Sequence, residues 1–251
     1  MINVLLKTLN QKNRTIDYPK STPVLPERFR GLPVIDRAKC IANCKLCIEA
    51  CPTDALTDGL KIDLGRCLFC NKCLSACHTG AISFSQEHRL AARTREDLVL
   101  KDSSLNSLKL IESLDKESRR LFGRSFKLRQ VSAGGCNACE ADTNVLSTVV
   151  YDLGRFGVQF VASPRHADGL LITGPVSRNM RLALEKTYEA VPAPKLVIVV
   201  GSCAISGGPY IDHPEVLNGV DPVLPVDLYI PGCPPHPLTI LDGVLRLLGR
   251  L

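Results

Sequence analysis

Twelve cysteines in a chain of 251 residues constrain this protein more than any other feature of its sequence. Small secreted proteins use cysteine this densely for disulfides, but those chains are short and carry a signal peptide. Here no small-residue cleavage site follows an apolar core near the N-terminus, and no run approaches the roughly 20 apolar residues that span a bilayer. The sequence therefore predicts an intracellular protein, soluble or peripheral to a membrane, whose thiols stay reduced and available to metals.

The first eight cysteines form two runs that repeat each other. The second, third and fourth cysteines of one run recur at a constant offset in the other, and residues 53–56 resemble residues 79–82. Only the first cysteine breaks the offset, because the gap that follows it is one residue longer in the first run. Repeats of about this length indicate duplicated structural units. The runs are Cys40, Cys44, Cys47, Cys51 and Cys67, Cys70, Cys73, Cys77.

The spacing within these runs predicts two [4Fe–4S] clusters with crossed ligands. Three cysteines at this spacing wrap a loop around one cluster, and the fourth, at the head of the next turn, reaches the other cluster. Structural zinc is the alternative, because a Cys-x2-Cys pair also suits a tetrahedral site, but zinc sites use two pairs rather than two runs of four. We expect the first cluster to take Cys40, Cys44, Cys47 and Cys77, and the second to take Cys67, Cys70, Cys73 and Cys51.

The last four cysteines lie in loops that follow predicted strands. Cys136 and Cys139 form one Cys-x2-Cys pair, and Cys203 and Cys233 lie in two further loops. Because loops at the carboxyl ends of parallel strands share one edge of a sheet, we expect these four cysteines to hold a third [4Fe–4S] cluster. A buried structural cysteine or a redox disulfide is the alternative for Cys203 or Cys233 taken alone.

Four segments are predicted along the chain. Residues 1–36 form a head with a possible surface helix, which packs either on the protein itself or against a membrane or membrane subunit. Residues 37–85 form an α+β, ferredoxin-like domain with two clusters, and residues 86–125 form a helical connector with apolar residues at three-residue steps over 105–114. Residues 126–251 form an α/β domain, flavodoxin-like with a parallel sheet, that carries the third cluster.

Within that α/β domain, short β-rich runs alternate with helical patterns. Strands are predicted over residues 127–132, 158–162, 170–173, 196–200 and 226–230. Helices are predicted over residues 140–154, 177–191 and 237–248.

The formal net charge of +6 does not predict nucleic-acid binding. That charge treats every cysteine as neutral, whereas twelve thiolates on three cubane cores of roughly +2 each would bring the total close to zero. The excess of Lys and Arg is therefore expected to offset the clusters.

The two runs of four cysteines resemble those of two-cluster bacterial-type ferredoxin domains. The lead-in Phe29-Arg30-Gly31 resembles the ferredoxin-like subunit of respiratory complex I and related hydrogenases. Two features depart from that pattern: the longer gap between Cys40 and Cys44, and His78, which stands where proline normally follows the last cysteine. His78 either donates to a sulfur and tunes a potential or is a tolerated loop residue.

The second half of the chain, over roughly residues 126–251, resembles the 20 kDa-type subunit shared by complex I and membrane-bound [NiFe] hydrogenases. In that family the four cysteines hold the cluster nearest the catalytic large subunit. Complex I is expected to have adjacent cysteines at the first position, whereas Cys136 and Cys139 are separated by two residues, as in hydrogenase small subunits. The motifs that carry the resemblance are GCNACE at 135–140, SPRHAD at 163–168, TGPV at 173–176, GSC at 201–203 and PGCPP at 231–235.

These resemblances imply a non-catalytic electron-transfer subunit of a group 4, formate-hydrogenlyase-type or energy-converting [NiFe] hydrogenase, fused to a ferredoxin domain that is usually a separate chain. The implied partners are a hydrogenase-type large subunit, membrane subunits, and a donor such as a ferredoxin or a formate-oxidising subunit. The implied location is peripheral, on the cytoplasmic side of the membrane. Two alternatives stay open: a subunit of a nickel-free, complex I-like oxidoreductase that reduces quinone or another acceptor, and a free-standing carrier.

Two residues outside the cysteines are candidate cofactor-binding residues. Arg165 resembles a family residue close to the cluster, where a positive charge would stabilise the reduced form; pairing with Asp168 is the alternative. Glu140 either belongs to a proton path at the subunit boundary or is a carboxylate at a helix N-terminus. No GxGxxG or P-loop motif occurs, so we expect substrate chemistry on a partner chain.

Overall fold

Short antiparallel strands and two short helices form the cysteine-rich part of the chain. The computed structural model describes residues 6–7, 14–100 and 111–251. The elements of this part are β1 (Pro33–Ile35), α1 (Leu46–Glu49), β2 (Leu56–Thr57), β3 (Lys61–Asp63), α2 (Lys72–Ala76), β4 (Ile82–Phe84) and β5 (Val99–Leu100). Strand β1 pairs with β4, and β2, β3 and β5 form a second antiparallel sheet. Helices α1 and α2 occupy equivalent places in the two cysteine runs, so the sequence repeat is also a structural repeat.

The connector differs from its prediction. Strand β5 lies within it and completes the second small sheet. Ile111 and Leu114 lie in irregular chain, and helix α3 (Lys116–Phe122) begins only after them, where the Asp115 carboxylate accepts hydrogen bonds from two backbone N–H groups. The connector thus contains a helix, but that helix begins after the apolar three-residue repeat that indicates it: residues 111–114 are irregular, and residues 105–110 lie outside the described ranges. The surface helix predicted for the head has five apolar residues on one face: Ile2, Val4, Leu5, Leu6 and Leu9. Four of them lie outside the described ranges, and Leu6, which lies within them, is exposed.

A five-stranded parallel sheet forms the centre of the second half of the chain. Its strands are β6 (Phe126–Ser132), β7 (Val158–Phe160), β8 (Gly169–Thr173), β9 (Leu196–Val200) and β10 (Leu228–Ile230). The strand order is β10-β9-β8-β6-β7, and every neighbouring pair is parallel. Numbered from β6 onward this is the order 2-1-3-4-5 of flavodoxin-like sheets. The predicted α/β class of this half is therefore confirmed, whereas the ferredoxin-like class of the first half stays a prediction.

The helices of this half flank the sheet. They are α4 (Ala138–Val145), α5 (Arg178–Ala190), α6 (Ser202–Ser206) and α7 (Pro237–Leu247). Helix α4 ends well before the predicted residue 154, where β-branched residues such as Thr148, Val149 and Val150 disfavour a helix. Helix α6 is too short for its periodicity to be read from the sequence. Within the described ranges, no helix combines the length and the apolar character that crossing a membrane requires.

The two halves share one apolar core. Strand β8 is buried along its whole length, and its side chains alternate between the faces of the sheet. Leu170 and Ile172 pack in a cluster that also contains Leu32 and Leu64 of the cysteine-rich part. Leu171 packs on the opposite face with residues of α7. The boundary between the two halves is therefore a continuous packed interface.

Backbone contacts reinforce this interface. Ala92 in the connector and Tyr229 in β10 exchange two N–H···O hydrogen bonds of 2.9 Å in an antiparallel bridge. Gly65 lies so close to α6 that a Cβ on it would lie 2.8 Å from the Cγ2 atom of Ile205. The position needs glycine because a side chain there would push the halves apart.

A buried polar contact ties the head to α7. The Tyr18 hydroxyl donates to Oδ1 of Asp242 at 2.5 Å, and the other oxygen of this carboxylate pairs with Arg246 at 2.8 Å. Asp242 is buried, so both of its oxygens have a partner where water does not reach them. The Arg155 guanidinium also donates to the carbonyl of Tyr18 at 3.0 Å. Residues 15–18 are thus held against the second half of the chain.

We predict that Leu171→Ala destabilises the chain strongly, because Leu171 is fully buried in the central strand. The free energy of unfolding is expected to fall by about 2–5 kcal/mol, from lost apolar burial and the cavity left behind. Urea unfolding followed by circular dichroism measures this change.

Leu182→Ala is the matched control, because Leu182 is 64% exposed on α5. Its free energy of unfolding is expected to change by no more than about 0.5 kcal/mol. Equal losses in the two variants would contradict the core described above.

Candidate metal centres

One open cavity brings together cysteines from both runs. It has a volume of about 310 Å³, and its wall includes the exposed residues Ile41 and His78. Its cysteines are Cys40, Cys44, Cys47 and Cys77. This is the group that the spacing predicts for the first cluster, although ligation itself stays a prediction. Asn43, which precedes Cys44, has a positive φ of 62°, and Phe69, which precedes Cys70 in the other run, has a φ of 52°, so this turn is shared by the two runs despite the longer gap after Cys40.

A second, narrower cavity holds the other four cysteines of the runs. Apolar residues such as Leu56, Ile62 and Phe84 complete its wall. Its cysteines are Cys51, Cys67, Cys70 and Cys73. The structure therefore places Cys51 with the second run and Cys77 with the first, in the crossed arrangement that we predict for the ligands.

Backbone N–H groups point at sulfur in both cavities. The N–H of Ala55 donates to Sγ of Cys51 at 3.2 Å, and the N–H of Ala81 donates to Sγ of Cys77 at 3.3 Å. These two contacts occupy equivalent positions in the repeat. Donors of this kind stabilise negative charge on sulfur, as cluster ligands require, and help to set a cluster's potential.

Burial keeps several of these thiols protonated when no metal is bound. Burial raises the pKa of Cys67 to about 12 and that of Cys73 to about 11. Because thiolates are the form that binds iron, cluster assembly must release these protons. The hydrogen bond between Cys77 and the Thr79 hydroxyl has the opposite effect and lowers the pKa of Cys77.

A third group of cysteines gathers at the carboxyl edge of the parallel sheet. Cys136 and Cys139 follow β6, Cys203 follows β9 and Cys233 follows β10. Burial, together with the nearby Cys233 and Cys136, raises the pKa of Cys203 to about 12. The pKa of Cys139 is shifted upward by burial and by the other three cysteines of this group. The four cysteines are therefore close enough to interact, as one shared centre demands.

Glycine leaves room for the sulfurs of this third group. A Cβ on Gly201 would lie 2.5 Å from Sγ of Cys139, and one on Gly208 would lie 2.9 Å from Sγ of Cys203. Gly201 also has a φ of +93°, a conformation that other residues rarely adopt. The backbone therefore approaches the cysteine sulfurs more closely than it could if these positions carried side chains. Such a close backbone suits a cluster that is held by all four sulfurs.

Asparagine turns the chain between paired cysteines in two of the three centres. Asn71, between Cys70 and Cys73, and Asn137, between Cys136 and Cys139, both have a φ of 71°. Each precedes a helix, α2 or α4. Asparagine tolerates this left-handed conformation better than most residues. These turns are not among the features predicted above, although the shared Cys-Asn-x-Cys pattern is a visible signal for them.

Glu140 is a buried carboxylate beside the third group. Its Oε1 atom accepts hydrogen bonds from the Ser132 hydroxyl at 2.5 Å and from the Thr173 hydroxyl at 2.6 Å. Burial alone would raise the pKa of Glu140, but the two hydroxyls outweigh burial and lower it. Glu140 is therefore ionised at neutral pH. Glu140 lies in the first turn of α4, in agreement with the prediction of a carboxylate at a helix N-terminus. Its negative charge lies near Cys139.

Arg165 is exposed in a short 3-10 helix, Pro164–His166, that follows β7. Within the described ranges no ion pair joins Arg165 to Asp168; the Asp168 carboxylate accepts a hydrogen bond from the backbone N–H of Lys127 at 2.7 Å. Arg165 lies at the same carboxyl edge of the sheet as the third group.

The described residues contain no set of three His, Cys, Asp or Glu side chains that converge as the ligands of a single metal ion do. A cubane makes a different demand, because each of its four irons takes one cysteine. Four separate sulfurs around a space are the donor set that suits such a cluster, and each of the three groups supplies four.

Residues 136–247 match the family model described as NADH ubiquinone oxidoreductase, 20 Kd subunit. The chain is 42% identical over 132 residues to the probable membrane-bound hydrogenase subunit mbhJ of Pyrococcus furiosus, a span of 53% of this chain and 79% of that protein. It is 43% identical over 141 residues to formate hydrogenlyase subunit 7 of Escherichia coli, 56% of this chain and 55% of that one. It is 42% identical over 120 residues to a subunit of the NADH-quinone oxidoreductase of Heliobacterium modesticaldum, 47% of this chain and 69% of that one.

We predict that Gly201→Ala reduces the metal content of the third group. The new methyl group overlaps Sγ of Cys139, and the positive φ adds about 1 kcal/mol of backbone strain. Iron measured on the purified chain after cluster assembly is expected to fall by up to about four atoms per chain.

Gly80→Ala is the matched control, because Gly80 has a φ of +64° but open space where its Cβ would lie, and it lines neither cysteine cavity. It is expected to lose stability by about 1 kcal/mol and to keep its full iron content. Full iron in Gly201→Ala would contradict the close contact with Cys139.

Proposed function

The chain belongs to the family of the 20 kDa subunit of NADH ubiquinone oxidoreductase, and on this premise we propose that it is an electron-transfer subunit that carries three [4Fe–4S] clusters. The observation that carries the proposal is the division of its twelve cysteines into three groups of four, two of which line separate cavities while the third lies in the loops that follow three strands of the parallel sheet. Such clusters supply one-electron chemistry when bound. The role of the chain is to hold them and set their order.

The contacts between groups support a linear order. The second group adjoins the third, because Ser202, which precedes Cys203, donates from its hydroxyl to the carbonyl of Cys67 at 2.7 Å. The second group also shares the crossed repeat with the first, so we propose that it lies between the other two. The first cavity opens to solvent next to the exposed side chains of Ile41 and Leu46, which suits the entry or exit of electrons through a donor such as a ferredoxin or a formate-oxidising subunit.

The surface next to the third group is suited to a protein partner. Cys136 and Cys233 are exposed there. Further along α4 and past its far end, Val145, Val149 and Val150 are exposed as well, and Val149 is 66% accessible. Exposed apolar side chains of this kind suit a surface that another subunit covers. We propose that this partner is the large subunit of a hydrogenase-type complex.

A membrane-associated [NiFe] hydrogenase is the complex that we propose. Two of the relatives are named as subunits of a membrane-bound hydrogenase and of formate hydrogenlyase. The two-residue gap between Cys136 and Cys139 favours this branch. The chain would then be peripheral, on the cytoplasmic side, held by membrane subunits, with proton reduction or H2 oxidation taking place on the large subunit.

A nickel-free complex is the second candidate. A relative named as a subunit of an NADH-quinone oxidoreductase is as similar in sequence as the hydrogenase relatives. In such a complex the same chain would pass electrons toward a quinone or another acceptor.

In either complex, Glu140 and Arg165 would tune the third cluster by charge. The ionised carboxylate of Glu140 disfavours an added electron, and the guanidinium of Arg165 favours it. The two hydroxyl donors to Glu140 reduce its effect by stabilising its charge locally.

Metal analysis of the intact complex separates the two candidates. We predict about twelve irons per copy of this chain, together with nickel on the large subunit. Plasma emission spectrometry on the purified complex measures both metals, with iron counted on the separated chain. Absence of nickel would overturn the hydrogenase proposal, and about four irons per chain would overturn the three-cluster proposal.

The crossed ligands give a second prediction. Cys77→Ser is expected to change the electron paramagnetic resonance signal of the first cluster and to lower the iron content by up to about four atoms per chain, because Cys77 lies in the first cavity. Cys73→Ser, in the same run, is the matched control and should affect the second cluster. If both variants change the same signal, the crossing is wrong.

A further inference from the structure

Ser202 lies at the point where the second and third cysteine groups meet. Its side chain is buried, with 1% of its surface accessible. Its hydroxyl donates to the backbone carbonyl of Cys67 at 2.7 Å and lies 3.1 Å from the carbonyl of Gly232. Its backbone N–H donates to the same Gly232 carbonyl at 2.8 Å. This one residue therefore contacts the chain on both sides of the interface.

The groups that Ser202 contacts belong to cluster ligands or adjoin them. Cys67 belongs to the second group, and Ser202 is bonded directly to Cys203 of the third. The peptide of Gly232 leads into Cys233, another member of the third group. A path of covalent bonds and one short hydrogen bond thus runs from Cys67 through the Ser202 hydroxyl to Cys203.

We propose that Ser202 is a positioning residue that couples the second and third centres for electron transfer, through the hydrogen bond from its hydroxyl to the carbonyl of Cys67. The proposal rests on the three-cluster function given above. In this step one electron passes from the second centre to the third, and no bond forms or breaks. The electron comes from a one-electron donor that reduces the first centre.

The physical reason is the steep distance dependence of electron tunnelling. Tunnelling weakens exponentially across a gap, and it weakens less along covalent and short hydrogen bonds than across van der Waals contacts. The hydroxyl of Ser202 bridges the gap between two backbone segments that no covalent bond joins. It also holds the loop of Cys67 against α6 and so fixes the separation of the two centres.

Ser206 offers a matched comparison one turn further along α6. Its hydroxyl donates to the carbonyl of Gly65 at 2.9 Å, across the same interface, and it is buried as well. Neither Ser206 nor Gly65 is a cysteine or adjoins one. If hydroxyl bonds at this interface only hold the two halves together, Ser202 and Ser206 should behave alike.

The experiment compares Ser202→Ala, Ser202→Thr and Ser206→Ala in the full chain carrying its clusters. A photochemical one-electron reductant starts the reaction, and rapid freeze-quenching with electron paramagnetic resonance follows the passage of the electron from the second centre to the third. Redox titration gives the potential of each centre. We expect a several-fold slower transfer in Ser202→Ala, recovery in Ser202→Thr, and the parent rate in Ser206→Ala, with potentials unchanged throughout.

Other outcomes have separate meanings. An unchanged rate in Ser202→Ala, or equal slowing in Ser202→Ala and Ser206→Ala, overturns the inference. A slower rate explained by a shifted potential overturns it too. Iron content and the separate cluster signals of the parent chain are measured first. Missing clusters in the parent chain would contradict the proposed function. A parent chain with all its clusters but no effect of Ser202→Ala would contradict only the inference about Ser202.

Discussion

Four thiols can share one cluster only when segments far apart in the chain are held within reach of each other. In the first two centres this requirement is met by exchange, because Cys51 and Cys77 each lie with the opposite run. Neither centre can be completed before both halves of the repeat have packed together. In the third centre, three strands of one sheet deliver their loops to a common edge. The paired helices, the small antiparallel sheets and the strand order all follow from these two ways of bringing cysteines together.

The cysteines can come together only where the backbone passes close to their sulfurs and to neighbouring segments of the chain. Gly201 and Gly208 leave space for sulfur, and Gly65 lets the cysteine-rich part reach α6. Asn71 and Asn137 reverse the chain between paired cysteines without a glycine. The energetic cost of these left-handed turns is modest, about 1 kcal/mol for each non-glycine residue. On the three-cluster proposal, binding of a cluster would offset this cost, because metal binding contributes to the folding free energy of such centres.

Short-range sequence patterns predicted the features of the structure that depend on residues close together in the chain. Strand β9 lies where its apolar run predicts, and the parallel pairing of the sheet follows from alternating strands and helices. The spacing of the cysteines anticipates their grouping, because a short loop limits which sulfurs can meet. The irregular chain at 111–114 was not predictable, since Leu114 is fixed there by burial and by a hydrogen bond to Leu247. The partners of Glu140 and Ser202 also come from distant strands and loops, and periodicity carries no information about them.

The bridge between Ala92 and Tyr229 has a consequence for how these molecules behave in a crowded solution. Strand β10 is the last strand on its side of the sheet, and its outer edge would otherwise present unpaired N–H and C=O groups. Such an edge is a template for strand addition by a second molecule, and hence for aggregation. The connector occupies that edge with two hydrogen bonds. The segment that joins the cysteine-rich part to the parallel-sheet half therefore also covers this edge of the sheet and keeps it closed to neighbouring chains.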